Sequence, residues 1–201
     1  LKENPENPYA YSQLGIEYHV RGDHARAVSH SIDSIRRGLQ EPKFLFNLCL
    51  GYRSLGQLDK EVQTARGILA GAPDFLPAWM VVLRHLREEG RLAECAEKTD
   101  ELLGEFPGAP PLLTARGDLR AEKGELAQAL EDYVAVIRQQ PNDRDVTLSA
   151  SLTLARLGDG ERAVRLAGRA LALSTSELLP WELEKLVRLQ SFLRGRHPDG
   201  R

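Results

Sequence analysis

The chain has 201 residues, 42% of them hydrophobic and 28% charged, with a formal net charge of −2 at pH 7. That near-neutral balance excludes the concentrated basic surface that non-specific nucleic-acid binding needs. No apolar run approaches the ~18 residues of a membrane-spanning helix and no signal-peptide pattern opens the chain, so neither nucleic acid nor membrane is expected as a partner. Two cysteines, Cys49 and Cys95, make no disulfide framework, and reduced thiols favour a cytoplasmic setting. Met80 is the only methionine, so Leu1 reads as the first residue of a piece of something longer or processed.

Residues 1–7 read as a lead-in. From there a period of 34 residues governs the chain: Gly22, Gly56, Gly90, Gly124 and Gly158 stand in register. A fixed spacing in this range signals an array of like units. Aligned on the glycines, the units are 8–41, 42–75, 76–109, 110–143 and 144–177, and each reads as two short helices with the glycine between them. Glycine at that joint ends the first helix at positive φ and lets the chain reverse. Pro8, Pro42, Pro77 and Pro110 open units, where a missing N–H costs nothing in a first turn. Pro73, Pro107 and Pro141 follow second helices and prevent their continuation.

The first helices repeat an apolar stripe at helical spacing. It runs Tyr11, Leu14, Gly15, Tyr18; then Leu45, Leu48, Cys49, Tyr52; then Trp79, Val82, Leu83, Leu86. It weakens to Leu113, Arg116, Gly117, Arg120 and to Thr147, Ala150, Ser151, Leu154. The second helices carry two apolar columns, Val28/Val62/Ala96/Leu130/Val164 and Ile35/Leu69/Leu103/Ile137/Leu171. A third column, Ala27/Glu61/Cys95/Ala129/Ala163, holds small residues where the helices of a unit come closest, with Glu61 as the exception. Glu61 and the large Leu83 predict a locally loosened second unit, in which replacing Glu61 by alanine is neutral or stabilising. The fifth unit lacks large aromatics and ends in Ser174-Thr175-Ser176 instead of proline. After it, Trp181, Leu183, Leu186, Leu189, Phe192 and Leu193 are again helically spaced, and 178–194 reads as a capping helix over the open end. Residues 195–201 read as a flexible tail.

Tyr11, Leu14, Gly15, Tyr18 and Ala27, with Ala129, Tyr133 and Pro141, resemble the tetratricopeptide repeat (TPR) over about 170 of the 201 residues. The resemblance implies an all-α fold, a right-handed alpha-alpha superhelix (TPR solenoid) of paired antiparallel helices. It also implies that the first helices line a concave groove that binds a protein partner. On that face Phe46, Leu50 and Met80 form an apolar shelf beside Arg53, Arg84 and Arg87, suited to an extended peptide or amphipathic helix bearing acidic groups. Asp118 and Glu122 reverse the sign in the fourth unit. In unit five the face reads Asp145, Leu148, Leu152, Ala155. Of the lysine/asparagine clamp by which some of these repeats grip chaperone tails, only Asn47 has a counterpart, so that clamp is not expected.

No catalytic or metal-binding constellation is expected along the chain. "GDGERA" at Gly158–Ala163 lacks the preceding strand that a dinucleotide fingerprint requires. His19, His24 and His30 lack the i, i+4 spacing of helical metal ligands. "HPD" at His197–Asp199 lacks the flanking helices of the co-chaperone signature it matches. Cys49 and Cys95 sit in small packing slots, and Glu88/Glu89 and Asp100/Glu101 read as solvated charge. The expectation is a non-catalytic interaction module without cofactor or metal, a monomer or weak homodimer that binds a protein or peptide. Two other readings stand beside it. One is the repeat region of a larger enzyme, since residues 3–28 resemble the repeat segment after the catalytic domain in some bacterial glycosyltransferases. The other is a self-assembly scaffold that stacks through unit one or the Trp181 helix.

Overall fold

The computed structural model describes residues 7–173 and 178–194. Ser174–Ser176, the first six residues of the lead-in and the tail with His197–Asp199 lie outside the described residues. Among the described residues all regular structure is helical. The first helices are α1 (Pro8–Val20), α3 (Pro42–Ser54), α5 (Leu76–Glu88), α7 (Pro110–Lys123) and α9 (Arg144–Leu157). The second helices are α2 (His24–Arg36), α4 (Leu58–Gly71), α6 (Leu92–Glu105), α8 (Leu126–Gln139) and α10 (Gly160–Ala172), and α11 (Pro180–Arg194) follows. Both series begin at positions 34 residues apart, at 8, 42, 76, 110 and 144 and at 24, 58, 92, 126 and 160.

Local chemistry sets these boundaries. Pro8, Pro42, Pro77 and Pro110 lie in first turns, and the side chains of Asn7, Asp23, Asp143 and Asp159 cap free N–H groups of α1, α2, α9 and α10. The five register glycines all have positive φ, from 69° to 99°. At Gly124 (φ 85°) the residue is the left-handed cap of α7.

The chain forms two compact units, residues 1–91 and 92–201. In the first, α1 packs on α2, α2 on α3, α3 on α4 and α4 on α5. Its core includes Ala27, Val28, Leu48, Cys49, Val62, Ala65, Ile68, Val82, Leu83 and Leu86. In the second, α6 packs on α7, α7 on α8, and α8 and α10 on α9, around Leu102, Leu112, Leu113, Leu119, Tyr133, Val136, Leu148 and Leu154. The small-residue column is buried throughout: Ala27, Cys95, Ala129 and Ala163 are at most 3% exposed, and so is Glu61. Helix α11 lies chiefly against α9, and its Leu189 and Leu193 also join Ala163 and Ala167 of α10 in one apolar cluster.

Candidate partner-binding face

Residues 34 apart occupy equivalent places on α1, α3 and α5, so the first unit presents a common first-helix face. Along one column of it Ile16 is 38% and Leu50 40% exposed, with Arg84 in the same place on α5. One turn earlier Ser12 is buried while Phe46 and Met80 are half-buried, and Asn47 is half-buried beside Phe46. Phe46 meets the ring of Phe75 edge-on at 5.8 Å, so part of its surface holds the residue that precedes α5. Arg87 is exposed near the end of α5.

Arg53 and Arg84 are already engaged. Glu61 of α4 bonds Arg84 Nη2 through Oε1 and stands 3.6 Å from Arg53 Nη1 through Oε2. Arg53 also grips Glu88 of α5 with two hydrogen bonds of 2.8 and 3.2 Å. These bonds to Arg53 hold the Glu88 carboxyl below the usual carboxylate range, and they raise the Arg53 guanidinium. Burying a carboxylate costs several kcal/mol unless cations and hydrogen bonds answer it, and here two guanidinium groups do. Glu61 therefore does not loosen the second repeat, as its place in a small-residue column led us to expect: it ties α4 to α3 and α5. Of the three arginines expected beside the apolar shelf, Arg53 and Arg84 are engaged in this way. Glu61 and Glu88 balance these two, and beside them the face exposes Ile16 and Leu50, with Met80 half-buried.

Cys49 lies fully buried under the same cluster, its Sγ donating to the Glu61 carbonyl at 3.7 Å. Burial first, and the Glu61 charge second, push the thiol up to about 12, so it stays protonated at neutral pH and is a poor nucleophile.

Asp118 and Glu122 belong to the second unit. Asp118 accepts a hydrogen bond from the Tyr133 hydroxyl at 2.8 Å, while Glu122 is exposed on the last turn of α7. One of the two carboxylates expected to orient a ligand is thus turned toward its own helix partner. Sequence reasoning also passed over Asp132, 4% exposed and held by Arg116 at 2.7 and 3.1 Å and by Arg120 at 2.7 Å. The signal was present: Arg116 and Arg120 interrupt a stripe that is apolar or small in other repeats, and such positions tolerate arginine only against a buried acid.

On α9 the corresponding face is not open. Leu148 and Ala155 are each 1% exposed, and Leu152 and Ala155 share an apolar cluster with Leu189 and Leu193 of α11. Lys185 of α11 donates to Asp145 Oδ1 at 2.6 Å, and Arg144 makes a two-pronged pair with Glu182 of α11 at 2.7 and 2.6 Å. An amphipathic helix, flanked by charges of both signs, therefore lies on the first-helix face of the last repeat.

The other candidates resolve into structure. Gly158–Ala163 is the turn from α9 into α10. The His19 and His24 rings stand 5.0 Å apart at the first turn, and His30 stacks on Tyr18 at 5.2 Å. Among the described residues no group of three or more His, Cys, Asp and Glu is placed to hold a metal ion, and no helix is long and apolar enough to cross a membrane. Glu88 pairs with Arg53, Glu89 with Arg91, Asp100 with Arg116 and Glu101 with Lys98.

Paired helices repeated at a 34-residue interval define an all-α repeat protein, and solved structures give that class its name. A thermophilic TPR protein of Thermus thermophilus superposes with a TM-score of 0.69 at 19% identity, over 93% of this chain and 99% of that one. PilW, a widely conserved type IV pilus biogenesis factor, gives 0.75 at 18%, over 94% and 87%. MamA of Desulfovibrio magneticus gives 0.64 at 14%, over 85% and 96%. The chain has the tetratricopeptide-repeat fold. No protein-family model matches its sequence and no curated protein does.

Proposed function

We propose that the chain is a non-catalytic protein-interaction module, and that the first-helix face of α1, α3 and α5 takes an amphipathic helix or extended segment of a partner protein. The observation that carries this reading is α11 on α9. In the second unit the same kind of face, at the same register positions, already receives an amphipathic helix through leucines and two ion pairs. In the first unit Ile16 and Leu50 stand exposed where α9 meets α11, and helix-in-groove recognition reads apolar anchors at such spacing. The structural neighbours support a scaffold role of this kind, and a pilus biogenesis factor among them fits a protein that works within a larger assembly. The two buried thiols, Cys49 and Cys95, fit a reducing compartment, and a cytoplasmic setting is part of the same proposal.

The test is a helical peptide selected from a displayed library for binding to this protein, its affinity measured by fluorescence anisotropy. Leu50→Glu, at an exposed position, is expected to raise Kd at least tenfold while leaving far-UV circular dichroism and melting unchanged. Selected peptides whose affinity ignores both Leu50→Glu and Ile16→Glu would overturn the assignment of the face. Arg84 is a poor probe, because reversing its charge would strand Glu61.

A further inference from the structure

We propose that His19 and His24, on either side of the first turn, form a two-histidine site for a divalent transition-metal ion of the Zn2+ class. Their rings stand 5.0 Å apart, centre to centre, and are tilted by 56°. An ion about 2.0–2.1 Å from one nitrogen of each ring would hold the ring centres roughly 4.5 to 5.2 Å apart, for coordination angles between square and tetrahedral. The separation is already that of two imidazoles on one ion. A spacing of five is wrong for ligands on one helix, but here the chain reverses between them. His19 lies in the last turn of α1 and His24 opens α2. Between them Gly22 has φ 81°, its N–H donates to the His19 carbonyl at 3.0 Å, and the Asp23 N–H donates to the Tyr18 carbonyl at 2.9 Å. Ligands held by such a closed turn give up little freedom on binding.

The repeat marks both positions as departures. The place of His24 is leucine in the next three units, at Leu58, Leu92 and Leu126, and the place of His19 is arginine in the next two, at Arg53 and Arg87. Elsewhere a polar group set into the packing columns is answered from within the fold, Glu61 by Arg53 and Arg84, and Arg116 and Arg120 by Asp132. Both histidine rings are half-buried, and among the described residues neither Nδ1 has a hydrogen-bond partner. Neutral imidazole is the usual ligand of zinc, nickel and copper ions, so one cation can answer both departures together. His30 also has a buried Nδ1 without a partner, but it packs on the rings of Tyr11 and Tyr18. The Asp23 carboxylate is committed to the Arg26 N–H and side chain, and among the described residues no group of three His, Cys, Asp or Glu is placed to hold an ion. The ion therefore has two protein ligands and completes its shell with water, which makes binding far weaker than in a closed structural zinc site.

Isothermal titration of the purified protein with ZnCl2 tests the site. One Zn2+ per chain is expected to bind with a micromolar Kd and to raise the melting temperature. The variants come from the repeat itself. His24→Leu restores the leucine column and His19→Arg the arginine of the next two units, so both are expected to keep parental circular dichroism. Each is expected to weaken binding by about tenfold or more and to reduce the thermal shift with it. His30→Gln leaves Kd unchanged, and so does His85→Gln, which breaks the His85–Glu89 pair of α5. A protein that takes up no Zn2+ overturns the proposal. So does binding that survives His19→Arg or His24→Leu, and so does binding lost in His30→Gln or His85→Gln.

Discussion

Glu61 shows how far a single position can depart from its column and still be built into the fold. Its neighbours in the alignment are alanine and cysteine, and a carboxylate there without partners would cost several kcal/mol. The two arginines that answer it come from α3 and α5, at distances in sequence that no local pattern connects. Removing the acid leaves Arg53 with Glu88 and leaves Arg84, whose side chain is 40% exposed, to water. Glu61→Ala is therefore expected to destabilise by about 1–2 kcal/mol, the range for losing charge-assisted hydrogen bonds to half-solvated partners. Urea unfolding checks it, and a variant as stable as the parent would mean that the pairs return no more than their desolvation cost.

At the scale of the element, the joint between helices is the feature the period predicts and the structure supplies. A Cβ built on Gly124 would meet nothing within 4 Å, so the site is spacious and only the φ of 85° resists a side chain. Gly124→Val is expected to cost about 1–2 kcal/mol through that backbone strain alone, read as a lowered melting temperature, and an unchanged one would contradict the left-handed cap. Helix α11 is the opposite case. Its apolar spacing announced a helix, and Pro180–Arg194 is one, but which neighbour it would choose was not legible. That choice depends on Arg144–Glu182 and Lys185–Asp145, pairs 38 and 40 residues apart in sequence.

Over the whole molecule, the repeat was legible because each unit restates the same glycine and apolar positions, and the first four an opening proline, so a chance match in one is outvoted by the others. The candidate face was legible only in part. Ile16, Leu50 and Met80 follow from register, but the state of Arg53, Arg84 and Asp118 depends on buried or neighbouring partners that each occur once. Those same non-repeating pairs set how the molecule responds to acid. Glu88 in the first unit is held below the usual carboxylate range by hydrogen bonds from Arg53, and Glu182 in the second by hydrogen bonds from Arg144. A group whose folded pKa lies below its unfolded value adds stability that is complete above the unfolded pKa and is lost as pH falls through the folded one. With unfolded glutamate near 4.3, the melting temperature is expected to hold level from neutral pH to about 5 and to fall progressively below about 4.3. Glu88→Gln with Glu182→Gln should melt lower than the parent at pH 7 and lose less on acidification, because the linked protons are gone. An acid slope in the double variant as steep as the parent's would assign acid sensitivity to other groups, and would mean that neither arginine pair contributes to holding its unit together.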